Sequence, residues 1–276
     1  MIPTDALNRR CALFTLLAMT LAIAMGLLAW GPILPQSDAH QFADMRSLFG
    51  LANGVNAAFC LPMLAAGVWG WRAVRRSPWP DSLQTPWRWC FACITATAGS
   101  AVAYHLAPGD RTYLVAQAAV AGSFSLLLCS FLAERVHAGF GSHRACATAL
   151  GVAALAATLS SLAASTDLRP LLLLQLLPVL LIPAGALSLP GHHTRQADWL
   201  LVLGLYALAR VSDLSDDSVL LATGGAISGH ALMHLCMAGV AAWLAYRAGS
   251  ASTEALPEAT DSGPVVQANT SLSTSG

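Results

Sequence analysis

Residues 218–246, SVLLATGGAISGHALMHLCMAGVAAWLAY, carry no charged side chain, yet they hold two histidines. A helix needs about 20 apolar residues to cross the hydrocarbon of a bilayer, and this stretch is longer than that. Working outward, charge-free stretches also run over 11–37, 47–71, 89–109, 112–133, 145–166 and 170–194. A charge inside hydrocarbon costs a few kcal/mol or more, so charges mark where spanning helices end. That reading predicts seven helices. An eighth stretch, 199–217, opens with WLLVLGLYALA and then carries Arg210, Asp213, Asp216 and Asp217, which are expected to face the bundle interior or its boundary.

The composition of the 276-residue chain agrees: 56% of residues are hydrophobic and 10% charged, against about 25% charged in a soluble domain. All 14 basic residues are arginine and 14 acids balance them. No basic stripe exists to track a phosphate backbone, which excludes nucleic-acid binding. The seven cysteines, Cys11, Cys60, Cys90, Cys93, Cys129, Cys146 and Cys236, lie scattered in apolar stretches and read as small core hydrophobes.

Arginine bias sets the expected orientation. With the N-terminus inside and eight crossings, Arg9, Arg10, Arg72, Arg75, Arg76, Arg88, Arg135, Arg144, Arg195 and Arg247 fall on the cytoplasmic side. Arg46, Arg111, Arg169 and Arg210 fall outside. Both termini are therefore expected in the cytoplasm. Ser37-Asp38-Ala39 loosely fits a signal cleavage site, but the preceding uncharged run exceeds an h-region of roughly 7 to 15 residues, which favours a retained helix. Pro78, Pro80 and Pro86 among Trp79, Trp87 and Trp89 predict that 72–88 is an interfacial connector. The segment after Arg247 lacks a hydrophobic period and is expected to be disordered.

Five of the eight histidines, His40, His137, His143, His192 and His193, fall in loops or at helix ends, where a solvated imidazole is ordinary. His105, in GSAVAYHLAPGD, and His230 and His234, in ISGHALMHL, fall at membrane depth, where polar groups need partners. The i, i+4 spacing of His230 and His234 stacks both rings on one helical face. A third imidazole from another helix completes a set that leaves one tetrahedral position of zinc open, and His105 is the intramembrane candidate. Hydrogen bonding between helices is the alternative use of such rings. Axial haem ligation is a further one, disfavoured because His230 and His234 point the same way. His105 lies nearer the outer boundary than His234, a mismatch that TGGAISG, with Gly224, Gly225 and Gly229, relieves if the last helix starts late or breaks.

On these residues the chain resembles the alkaline ceramidases and their bacterial relatives in the CREST superfamily of seven-helix membrane hydrolases. The resemblance spans about 40–247 and rests on GSAVAYHLAP and SGHALMHL, with weaker support from FADMRSLFGLANGVN, LLPVLLIP and YALARVSDLSD. It implies an all-α integral membrane protein: an added N-terminal anchor helix within 1–30, a seven-helix domain over 31–247 and a cytoplasmic tail over 248–276, in a bacterial inner membrane. It further implies zinc on His105, His230 and His234, and hydrolysis of the amide of a ceramide-like membrane lipid, the one partner it names.

The chain departs from the family pattern at several positions. The serine four residues before the first histidine and the aspartate eleven after it are replaced by Ala101 and Ala116. Ser100, five residues before His105, is the substitute catalytic hydroxyl, reaching the site if its helix is locally distorted; Asp110, Asp213 and Asp216 are the nearest acids. Phe59 and Cys60 stand where the family has Ser-Asn, and Asp44 is the closest match to an accessory calcium ligand. These departures leave a second reading beside the hydrolase: a catalytically degenerate protein that binds metal or lipid.

Overall fold

The computed structural model describes residues 4–35, 40–162 and 167–254. Among these, apart from an isolated bridge between Leu48 and Leu51, every regular element is helical: α1 (Thr4–Trp30), α2 (Gly54–Phe59), α3 (Leu61–Arg76), α4 (Asp81–Leu106), α5 (Asp110–Arg135), α6 (His143–Leu162), α7 (Arg169–Ser188), α8 (Gln196–Leu214), α9 (Asp216–Ala222) and α10 (Gly229–Glu254), with a 3-10 turn at Ala138–Gly141. Six segments are long and apolar enough to cross a membrane: α1, α2 with α3, α5, α6, α7 and α10. The chain has the form of a multi-spanning membrane protein. α4 and α8, expected to span as well, fall outside those six. α4 carries Gln84 and Arg88 with a series of threonines, and α8 carries Asp198, Arg210 and Asp213.

Helices α3, α4, α5, α7, α8 and α10 pack side by side in a closed ring, while α6 lies outside against α5 and α7, and α1 lies outside against α7. α1 buries only a narrow stripe, Ala12 and Leu16, against Leu181 and Leu189. Its remaining surface, including Phe14, Leu17, Leu21 and Met25, is exposed and apolar, as a lipid-facing helix must be. Both ends of α1 are tied down. Arg9 donates to the Val136 carbonyl at 2.8 Å, and Asp167 accepts from the Ile33 amide at 3.2 Å while pairing with Arg169 at 2.8 Å. Ser37-Asp38-Ala39 lies outside the described residues.

The best-packed core lies at the end of the ring where α3 and α5 finish and α8 begins. There Trp87 stacks on Phe91 and Trp199 at centroid distances of 5.9 and 6.2 Å, and Trp79, Phe131 and Leu244 complete the cluster. This corrects the expected interfacial connector over 72–88, since Trp79 and Trp87 are buried and only Ser77–Pro80 is non-helical. Pro86 sits inside α4, in its second turn. It leaves the Ser82 carbonyl without a helical donor, and Gly141 packs against that carbonyl where a Cβ has no room. A second correction concerns the tail: α10 continues through Glu254, and Ala248, expected in a disordered segment, is fully buried beside Ala73 and Val74. Residues 255–276 lie outside the described residues.

The stretch 218–246 is not one helix. α9 ends at Ala222, Gly224 and Gly225 take left-handed φ of +62° and +82°, and α10 starts at Gly229. The late start predicted from TGGAISG is present, and it brings His230 and His234 into the first turns of α10.

Candidate metal centre

Four side chains converge near one end of the helix ring. His105 comes from the last turn of α4, His230 and His234 from the start of α10, and Cys60 from the break between α2 and α3. Cys60 is fully buried, and His105 and His234 are 1% and 6% exposed. The Nε2 atoms of His105 and His234 are 3.0 Å apart, and Cys60 Sγ is 3.6 Å from His234 Nε2. One donor atom from each of Cys60, His105 and His234 lies within 4.8 Å of the other two, and His230, expected as the third histidine ligand, is not in that close group. The three imidazoles form a near-equilateral set with centroid separations of 5.1, 5.2 and 4.9 Å and interplanar angles of 80°, 85° and 88°.

This geometry fits a tetrahedral ion. With Zn–N of about 2.0–2.1 Å and Zn–S of about 2.3 Å, two nitrogens lie about 3.3 Å apart and a nitrogen and a sulfur about 3.6 Å apart. One unsatisfied atom supports it: His230 Nε2 is buried without a hydrogen-bond partner, and leaving a buried ring nitrogen unpaired is costly, whereas a cation beside it would give it a partner. His105 Nδ1 and His234 Nδ1 are also buried without partners, but they lie on the side of each ring away from the close Nε2 pair.

The surrounding polar groups hold the rings in place. His230 Nδ1 faces Asp213 Oδ1 at 2.8 Å, and Asp213 Oδ2 accepts from Arg210 at 2.9 Å. That contact places the proton of neutral His230 on Nδ1 and leaves Nε2, across the ring, as a lone-pair donor. Asp216 caps the start of α10 by accepting the His230 amide at 2.7 Å, and its other oxygen accepts the Ala43 amide at 3.0 Å. Gly229 makes this corner: its Cα packs against Asp216 and the Ser212 carbonyl with no room for a Cβ. Asn53 donates to the His105 carbonyl at 3.1 Å, satisfying the end of α4. The expected inward cluster of Arg210, Asp213 and Asp216 thus divides: both aspartates turn inward to His230, and Arg210 stays half exposed.

A segment from His40 to Arg46 roofs the rings. Phe42 is buried edge-on to His105 at 4.9 Å and tilted against His230 at 5.4 Å. His40 bridges the Tyr104 hydroxyl and Asp110, each at 3.0 Å, which places Asp110 at the outer rim and away from the rings. Asp44, the residue matched to a calcium ligand, already has a cation. Arg46 donates to its two carboxylate oxygens at 2.8 and 2.6 Å, and this guanidinium holds the Asp44 carboxyl below the usual carboxylate range. Asp44 thus serves an ion pair with Arg46 and presents no free carboxylate to a calcium ion.

Ser100, the expected catalytic hydroxyl, is engaged by its own helix. Its hydroxyl donates to the Thr97 carbonyl of its own helix at 2.9 Å. Cys60, by contrast, joins the histidines although its sequence context reads as core packing. A cysteine in an apolar run, far in sequence from its partners, offers no spacing signal; the one hint is Pro62, which marks a helix start beside it. Below the rings, residues of all six ring helices line an apolar cavity of about 110 Å³. Its wall includes Met63, Met237, Phe124, Pro178 and Trp199, and its few polar groups include the Thr97–Ser123 hydroxyl pair, 2.9 Å apart.

No protein-family model, curated protein or solved structure matches this chain. Its class therefore rests on the fold and the site: an all-α membrane protein with a buried Cys-His-His cluster whose spacing is consistent with zinc, as in metal-binding membrane hydrolases.

Proposed function

We propose that this protein is a zinc-dependent intramembrane amidohydrolase that cleaves ceramide-like lipids into a sphingoid base and a fatty acid. The observation that carries the reading is the convergence of buried donors from separate helices above an apolar cavity; the resemblance of GSAVAYHLAP and SGHALMHL to alkaline ceramidases supplies the substrate class. His105, His230 and His234 would hold the ion. When bound, zinc supplies Lewis acidity, polarising a carbonyl and lowering the pKa of a water to about 7.

The chain's own groups do the rest. Asp213 fixes the tautomer and tilt of His230, and Arg210 fixes Asp213. Phe42 shields the rings from the outer side, and the apolar cavity would receive the first few methylenes of an acyl chain. In the overall reaction, the oxygen of water joins the acyl carbon, the C–N bond breaks, and the leaving amine takes a proton. In this proposal α4 and α8 span with the other helices, giving seven plus the N-terminal one, both termini are cytoplasmic, and the membrane domain runs on to the end of α10 at Glu254.

One observation favours a second reading, a metal- or lipid-binding protein without turnover: Ala101 and Ala116 replace the family's polar residues, and Ser100 is spent on Thr97. Mass-spectrometric detection of free sphingoid base from a short-chain ceramide separates the two. The hydrolase reading predicts weak, metal-dependent release by wild type and none by His105→Ala. General acid–base assistance typically contributes about 10² to 10⁴-fold, so Ala101→Ser with Ala116→Asp should raise release roughly tenfold or more. No product from wild type or the double variant, with zinc bound in both, would leave only the binding reading.

A further inference from the structure

The seven cysteines are not equivalent. Cys90 and Cys93 donate to backbone carbonyls of α5, at 3.8 and 3.5 Å, as buried thiols in a helical bundle do. Cys60 likewise donates to the Asn56 carbonyl at 3.5 Å, but it alone among the described residues also shares a ligand-like cluster with histidines. Its placement is specific. α2 ends at Phe59, α3 begins at Leu61 with Pro62 in its first turn, and Cys60 is the single residue between them. Cys60 itself keeps helical backbone angles (φ −77°, ψ −22°), and its sulfur lies 3.6 Å from His234 Nε2, the separation expected of a sulfur and a nitrogen on one tetrahedral zinc.

We propose that Cys60 is a protein ligand with His105 and His234, the three donors already grouped, and that the unpartnered His230 Nε2, outside that group, closes in as the fourth, so that the resting centre is closed to exogenous ligands and selective for soft metals. The inference rests on the metal reading above and changes its consequences. Four protein donors are the signature of closed zinc sites, whereas catalytic sites keep one position open. Cys60 therefore caps the centre at rest, and hydrolysis requires its sulfur to withdraw. A one-residue link between two helices, with proline removing a helical hydrogen bond just beyond it, is a natural place for that movement. A thiolate donor also favours zinc, cobalt or cadmium and disfavours calcium, magnesium and manganese.

Cobalt(II) titration of the full-length protein in detergent tests this without relying on turnover. Wild type should take up about one equivalent with an intense near-ultraviolet sulfur-to-cobalt charge-transfer band. Cys60→Ala, and the near-isosteric Cys60→Ser in case the first packs poorly, should still bind cobalt but lose that band. Azide should perturb the visible bands of the cobalt-loaded Cys60→Ala variant and leave those of wild type unchanged. Calcium and magnesium in excess should not displace the cobalt, and cadmium should. Cobalt uptake by wild type without the charge-transfer band would overturn the ligand assignment while the histidine centre stands. Equal azide shifts in wild type and variant would overturn the closed state. No cobalt uptake by wild type would overturn both this inference and the metal reading beneath it.

Discussion

At the scale of single residues, the site depends on contacts that orient rings more than on the rings' number. Asp213→Asn keeps the size of the side chain but removes the charge that holds His230, and loss of such a supporting carboxylate typically costs about 10 to 100-fold in metal affinity. Chelator competition should show a fall of that size. Unchanged affinity would mean that His230 does not contact the ion. Gly229→Ala tests the corner beneath it: a methyl group must push α10 away from Ser212 and Asp216, and overpacking of this kind costs about 1–3 kcal/mol. Its melting temperature and zinc retention should fall together. The histidines were legible in the sequence because an imidazole at membrane depth is conspicuous and i, i+4 spacing is geometric. Cys60 and Phe42 were not, since each enters the site from a segment whose composition reads as ordinary packing or loop. Ser100 was the opposite case, a plausible hydroxyl by position that its own helix engages instead.

Elements owe their limits to local chemistry that charge counting does not capture. Charge-free stretches located the long helices, but they could not show that 218–246 divides at Gly224 and Gly225, or that α10 continues past Arg247 because Ala245 and Ala248 pack on α3. Nor could they show that Pro86 lies within a helix, which is tolerated because it falls near the start of α4. The roof formed by 40–46 was likewise illegible, being held by polar contacts between distant segments: Ala43 to Asp216, Arg46 to the Ala226 carbonyl, and Arg46 to Asp44. Its acid response follows from the Asp44 shift. Because Arg46 lowers the folded carboxyl's pKa, the pair's contribution is complete above the unfolded value of about 3.9 and is lost as pH falls through the lowered one. Wild type should melt above Arg46→Gln at pH 7, and the difference should shrink in acid as the pH falls below the unfolded value and the Asp44 carboxyl takes up its proton. A difference that persisted unchanged there would show that Arg46 acts through the Ala226 carbonyl instead.

For the whole molecule, membrane class was legible from composition, since a chain with so few charges cannot cover its apolar surface in water. The number of crossings was less so, because α4 and α8 carry the polar residues that build the site and its supports. Reporter fusions after Arg247 should report a cytoplasmic C-terminus if all eight segments span with the N-terminus inside. An extracytoplasmic signal would mean that one of them does not. Beneath the question of topology lies the ion. The measurement that tests the account most directly is elemental analysis of the full-length protein purified without chelator, alongside His230→Ala with His234→Ala. The account predicts about one zinc per chain in wild type and none above background in the double variant. Wild type without zinc, or zinc that survives loss of both histidines, would contradict it.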